Sequence, residues 1–369
     1  MRVGGNASHA LRSVAAIVVG LALARCAAAQ EIYVPAQYST IQTAIDACPT
    51  GGVVIIAPGT YRGPGNRDIS FRGKAVTVRS MDPNDPAVVG ATVIDCQGGG
   101  EEPHRGFQFT SSEGPGTVVS GLTIRGGHAP DEQTRFGLYG AGGAIACLGS
   151  SPTITHCVID SNTADLGGAV YGFATGAVMQ NCVIRNNEAL AGGAIFCDAD
   201  AQITMTNCTV SDNRADDGGA VCALNSFPRL LGCDMRGNVA TYYGGGLYLS
   251  GASAEISACT IIANLATDNV NSRGGGIYCD HGDPVIVNTI IEKNRAGVSG
   301  GGGIYCGDDA SPTIVHCVLS GNSAKKRGGG LYCAPGNGPA RPTIRNSIFS
   351  NNTAGQGPDI GLYLSLIHI

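Results

Sequence analysis

Eight asparagines recur at one position of a repeated segment, and that column constrains the fold more than any other feature. They are Asn162, Asn187, Asn213, Asn238, Asn264, Asn294, Asn322 and Asn352, spaced by 25, 26, 25, 26, 30, 28 and 30 residues. Five residues before each lies Cys157, Cys182, Cys208, Cys233, Cys259, Thr289, Cys317 or Ser347. A second motif sits between successive copies. It reads Gly-Gly-Ala-Ile or Gly-Gly-Ala-Val at 142–145, 167–170, 192–195 and 218–221, and Gly-Gly-Gly-Ile or Gly-Gly-Gly-Leu at 274–277, 301–304 and 328–331. Insertions fall between the Asn and the glycines, which predicts a loop of variable length there. The unit is about 25 residues long, with short β-branched runs and no helical period. It reads as one turn of a solenoid of strands, which buries a core only by stacking on its neighbours.

Parity gives the shape of each turn. Ile154, Met179, Met205, Leu230, Ile256, Ile286, Ile314 and Ile344 lie three residues before the Cys column. Ile159, Ile184, Val210, Met235, Ile261, Ile291, Leu319 and Phe349 lie two residues after it. A straight strand alternates faces, so positions three apart do not both point inward. The chain must bend just before the Cys, where Asn, His or Gly usually stands, types that tolerate a left-handed backbone.

Composition narrows the function classes. The 369 residues include 57 Gly and only 14% charged residues, against roughly 25% in an ordinary soluble domain. The glycines are clustered rather than placed at every third position, which excludes collagen, and the 43% apolar share argues against disorder. A net charge of −5 gives no general footprint for nucleic acid. No apolar run reaches the ~18 residues of a membrane-spanning helix. At the start, Arg2 and Arg12 precede the apolar stretch 14–24, followed by Ala27-Ala28-Ala29, and residues 1–29 read as a secretory signal peptide. Arg25 before Cys26 departs from a lipobox, so free export is expected over a lipid anchor, with a secreted or cell-surface location such as a bacterial outer surface.

These elements resemble the pectin-lyase-like superfamily of right-handed parallel β-helices. The GGA[ILV] and CxIxxN motifs resemble the GGAI/FxxN repeats of chlamydial polymorphic outer-membrane proteins, with Phe restored at Phe349-Ser-Asn-Asn352. The segments 38–47 and 53–61 resemble the cap helix and first coil of exported β-helix proteins, and such a helix would cover an open sheet edge. The resemblance implies an all-β, single-domain right-handed parallel β-helix (solenoid) with an N-terminal helical cap. Its parts are a signal peptide at 1–29, the cap and first coils at 30–117, and repeats at 118–363. Residues 364–369 resemble the translated end of a transposon used in sequencing-library preparation and are expected to be a non-native tail of a truncated chain.

Few residues carry a chemical signal. Six Cys occupy the column of Cys157, and Cys147, Cys197, Cys279, Cys306 and Cys333 form a second. In-register strands hold such side chains parallel, which disfavours disulfide dihedrals. Ligand spacing for zinc is lacking, so buried thiols without metal or cofactor are expected. The Asn column reads as a structural ladder. The residue after the aliphatic of the glycine motif is Ala146, Tyr171, Phe196, Cys222, Tyr248, Tyr278, Tyr305 or Tyr332. Parity turns this column outward, as an exposed aromatic stripe that either stabilises the sheet or binds sugar rings or a partner protein.

Catalytic signals are thinner. The calcium-binding acidic cluster with an Arg base of pectate lyases is absent, as is the Asp pair with Gly-His-Gly of polygalacturonases. Glu102-Pro-His104 resembles part of the DPHE element of mannuronan epimerases, with Arg105 in place of the final acid. The best local candidate is Asp280, His281 and Asp283 with Asp308 and Asp309 one coil later, where carboxylates on adjacent rungs would approach the ~5–5.5 Å of retaining glycosidases. Asp beside Gly after a strand is more often a turn residue. The expectation is a monomeric, non-catalytic surface β-helix that binds polysaccharide or a surface protein through Tyr171, Phe196, Tyr248, Tyr278, Tyr305 and Tyr332. The alternative is a polysaccharide lyase, glycoside hydrolase or epimerase.

Overall fold

A computed structural model describes residues 30–268, 270–334 and 338–362. The expected signal peptide and C-terminal tail lie outside the described residues. Each repeat contributes one strand to each of three long parallel sheets, of 12, 11 and 11 strands. In the first complete repeat these strands are Ile145–Leu148, Thr153–Thr155 and Val158–Asp160. Every strand pairs in register with its equivalent one turn on: Ile154 opposes Met179, and Ile159 opposes Ile184. A parallel β-helix results, and crossovers between parallel strands of one sheet are right-handed.

The bend before the Cys column is present in every copy. His156, Asn181, Asn207, Ala258, Asn288, His316 and Asn346 have φ of 48–54°, and Gly232 completes the column at 62°. With that corner in place, Ile154, Cys157 and Ile159 all point into the core and are fully buried. A second left-handed corner precedes the Asn column, at Ser161, Asn186, Asp212, Gly237, Ala263, Lys293, Gly321 and Asn351. A third falls at the first glycine of each glycine motif, where a Cβ on Gly167 would lie 2.1 Å from the Val170 carbonyl oxygen. Glycine is the residue that fits there.

The Asn column is a continuous buried ladder. Nδ2 of Asn162, Asn187, Asn213, Asn238, Asn264, Asn294 and Asn322 each donates to Oδ1 of the next Asn at 2.9–3.0 Å. Each Oδ1 also accepts the backbone N–H of the preceding Asn, as in Asn162 to Asn187 at 3.0 Å. Buried amides are tolerated because their donors and acceptors are matched rung by rung. The fourteen described cysteines are all buried free thiols. Burial pushes the thiols of Cys96 and Cys197 up to about 12, so they pack as small apolar groups.

The helix Ile41–Ala47 closes the N-terminal end. Thr40 caps it by accepting from the Thr43 N–H, and Ile41, Ala44 and Ile45 are buried against the first coil. The variable segment between the Asn and the glycines is more ordered than its length variation suggests. It contains an antiparallel hairpin, Asp131–Thr134 with Gly137–Gly140, and a separate 5-stranded parallel sheet that starts at Arg214–Asp217. The hairpin folds over the outside of the sheet that carries the aromatic column.

Candidate functional site: a cationic groove at the end of the aromatic column

Register places the aromatic column in a single line. Tyr171 opposes Phe196, Phe196 opposes Cys222, Cys222 opposes Tyr248, and Tyr278, Tyr305 and Tyr332 follow one per rung. The side chains lie outside the core, as parity requires, but the expectation of an exposed stripe is corrected. Tyr171 and Phe196 are 1–2% exposed, Tyr278, Tyr305 and Tyr332 are 5–6% exposed, and Tyr248 is only partly exposed.

Three things bury them. In-register rings one rung apart cover each other's faces: Tyr278 and Tyr305 stack at 4.9 Å between centroids with planes 9° apart, and Tyr248 and Tyr278 at 5.2 Å. The hairpin covers the N-terminal part, where Phe136 meets Phe196 edge-on at 6.1 Å. Two ion pairs, each with one buried partner, fasten it: Arg105 to Glu132 at 3.0 Å and Arg135 to Asp198 at 2.5 Å. The third cover is the neighbouring column Ala141, Leu166, Ala191, Asp217, Tyr243, Arg273, Gly300 and Arg327, whose members pair from rung to rung. Tyr243 lies 5.0 Å from the Tyr278 ring, and the Arg273 guanidinium sits over the Tyr243 and Tyr305 rings. Desolvation raises the hydroxyl pKa of Tyr305 to about 12, and those of Tyr248 and Tyr278 further, so all three stay protonated at neutral pH.

The column changes at Gly300, which is buried and lies between Arg273 on one rung and Arg327 two rungs on. Without a side chain there, the Tyr332 ring packs against it: a Cβ would lie 2.8 Å from Tyr332 Cδ1. Tyr332 tilts 59° from Tyr305, and Arg327 Nη1 donates to its hydroxyl at 3.1 Å. On the next rung Tyr332 opposes Gly361, so the ring stack ends there. An open groove of about 650 Å³ results, walled by Arg273, Lys325, Lys326, Arg327 and Gln356 over Tyr305 and Tyr332. Sequence reasoning identified the two tyrosines and missed the four cations. The signal was present as Lys325-Lys326-Arg327, three consecutive basic residues in a chain of net charge −5.

The acidic candidates sit elsewhere. Asp280 ends its strand beside the column, where its Oδ2 accepts from the Tyr278 hydroxyl at 3.2 Å. His281 is exposed with φ 49°, and its backbone N–H donates to the Asp308 carbonyl at 2.7 Å. The structure thus joins Asp280, His281 and Asp308 at one corner, through turn hydrogen bonding. Asp283 and Asp309 are exposed. His104 is held by Asp68, Nδ1 to Oδ2 at 2.6 Å, and Arg105 is buried against Glu132, so His104 ties coils together and Arg105 fastens the hairpin.

A family model described as "Right handed beta helix region" matches residues 104–261 and 193–360. The chain belongs to the right-handed β-helix family. No curated protein matches it. Among solved structures this β-helix is similar to the A-module of the Azotobacter vinelandii mannuronan C-5 epimerase AlgE6, at 13% identity and TM-score 0.38, over 89% of this chain and 94% of that one. It is similar to the catalytic unit of a GH87 α-1,3-glucanase from Streptomyces thermodiastaticus, at 16% identity and TM-score 0.47, over 87% and 61%. It is also similar to PfbA, a surface adhesin of Streptococcus pneumoniae, at 14% identity and TM-score 0.42, over 89% and 92%. Likeness at this level has no bearing on which residues of this β-helix act.

Proposed function

We propose that this is an exported, non-catalytic β-helix protein that binds polysaccharide at the C-terminal end of its aromatic column. The observation that carries this reading is the open groove over Tyr305 and Tyr332, the place where the ring stack ends. Aromatic rims give a sugar ring an apolar contact, and the tyrosine hydroxyls and Gln356 supply hydrogen bonds. The N-terminal half of the column, under the hairpin, serves sheet packing. Export rests on the charge and hydropathy pattern of the first 29 residues, and a monomer on the continuous core of a single solenoid.

Binding to a panel of immobilised polysaccharides tests it. Tyr332→Ala and Tyr305→Ala are expected to weaken binding about tenfold or more, while Tyr171→Ala, under the hairpin, leaves the affinity of the folded protein unchanged. Equal binding by all three variants removes the groove from the account. Release of oligosaccharides during the assay, stopped by Asp280→Asn or Asp308→Asn, replaces it with the enzymatic reading.

A further inference from the structure

We infer that the groove selects anionic polysaccharides, those carrying carboxylate or sulfate groups, and that the anion sits among Arg273, Arg327 and the two lysines that line it. This deepens the polysaccharide-binding reading and rests on it. Arg273 and Arg327 occupy one column with a single rung between them, and Gly300 is that rung. Adjacent strands are ~4.8 Å apart, so the two backbones stand roughly 10 Å from each other, and both side chains line the groove.

Each guanidinium is held by other contacts. Arg273 lies over the Tyr305 ring at 5.3 Å, and Arg327 bonds Gln356 Oε1 at 3.2 Å and the Tyr332 hydroxyl at 3.1 Å. Lys325 and Lys326 are exposed at the rim. Among the described residues, no carboxylate lines the groove. The nearest acids on the column are Asp280, engaged by Tyr278, and Asp308, which acts electrostatically on Tyr305 from one residue beyond Cys306-Gly307. Four cations gathered in one concave place on a chain of net charge −5 make a local positive field, which a low-dielectric aromatic floor strengthens. A neutral glycan would desolvate the exposed Lys325 and Lys326 without compensation. A carboxylate or sulfate group compensates them through charge-assisted hydrogen bonds.

Space at Gly300 is tightly set. A Cβ there would lie 2.6 Å from the Arg327 carbonyl oxygen and 2.8 Å from Cδ1 of Tyr332, so any larger residue displaces the ring that floors the groove.

The test compares heparin (sulfate and carboxylate), polygalacturonate (carboxylate alone) and dextran (neutral) by titration calorimetry, at low and at physiological salt. Both polyanions, or one of them, are expected to bind and dextran to bind at least tenfold more weakly, with affinity falling as salt rises. Heparin alone assigns the site to sulfate, and polygalacturonate binding assigns it to carboxylate. Lys325→Gln with Lys326→Gln, both exposed and safe for folding, should weaken polyanion binding tenfold or more, and Arg273→Gln likewise. Arg345→Gln, exposed on another face, should leave it unchanged. Dextran binding as tight as the polyanions, or native-like polyanion binding by the lysine and arginine variants, overturns the anion inference and leaves polysaccharide binding standing. Failure of all three polysaccharides to bind overturns both.

Discussion

Asn187 Oδ1 accepts two hydrogen bonds from Asn162 at 3.0 Å, one from its backbone N–H and one from its side-chain Nδ2. The same relation repeats down the solenoid, so a ladder residue in the middle serves its neighbours on both sides. Asn213→Ala would take the acceptor from the N–H of Asn187 and the Nδ2 donor from the carbonyl of Ile184, and would leave Asn187 Nδ2 only the carbonyls of Ile159 and Arg185. With each buried orphan costing about 1–3 kcal/mol, a loss of about 3 kcal/mol or more is expected. Asn352→Ala, where Nδ2 meets Asp359 in place of a further Asn, should cost less. Urea unfolding of the two variants, compared at equal slope, checks the order.

The thiols should be silent until the chain unfolds. Cys157, Cys182, Cys208, Cys233 and Cys259 are 1–2% exposed, and burial raises the pKa of Cys197 to about 12. Native protein is expected to react negligibly with a thiol reagent at pH 8, and unfolded, unreduced protein to react at most of its cysteines. A near-zero titre after unfolding would mean the columns are disulfide ladders.

Asp217 gives the fold a pH signature. Its Oδ1 is buried without a partner, and desolvation, with Asp216 beside it, raises its pKa to about 6. The unfolded value is near 3.9. Between these the folded state binds more protons than the unfolded one, so this group makes the protein more stable as pH falls from above 6 to below 4. Asp217→Asn should raise stability at pH 7 by at most about 3 kcal/mol, at 1.36 kcal/mol per pKa unit, and have little effect at pH 4. Thermal unfolding at the two pH values reads the difference.

Arg135 fastens the hairpin to the coil. Arg135→Ala leaves Asp198, whose side chain is fully buried, without its cation. With Arg135 more than a third exposed, solvent screens the pair, so the loss is expected below the ~3–5 kcal/mol of a fully buried pair, and it falls on the hairpin. Chymotrypsin should cut the variant at Phe136 or Leu138 well before the coils, whereas native protein resists. Equal cleavage rates would show that the hairpin is held by Phe136 on Phe196 and by Arg105 alone.

Much of the fold is legible in residue columns. The corner at His156, Asn181 and Asn207 shows because two inward positions three residues apart demand it, and because Asn and His tolerate left-handed backbone. The second corner, at Ser161, Asp212, Ala263 and Lys293, shows no such signature: these side chains face solvent, and only the backbone is constrained. The aromatic column was readable to the correct side of the sheet. Its burial was not, because parity says nothing of what lies on top. The cover comes from a hairpin inserted in one repeat only and from the neighbouring column, whose residues vary from Ala to Arg and make sense only once register is known. Gly300 is the sharpest case, since one more glycine in a glycine-rich motif acquires meaning only between Arg273 and Arg327.

The central claim is the location of the binding groove, and a crystal structure of the protein with a bound acidic oligosaccharide tests it most directly, using a heparin tetrasaccharide or trigalacturonate according to which polymer binds. The account predicts an anionic group between Arg273 and Arg327, over the rims of Tyr305 and Tyr332, with Lys325 or Lys326 at its edge. Sugar density on the hairpin, on the faces of Thr153–Thr155 or Val158–Asp160, or at the Asp280–Asp308 corner with the groove empty would contradict it.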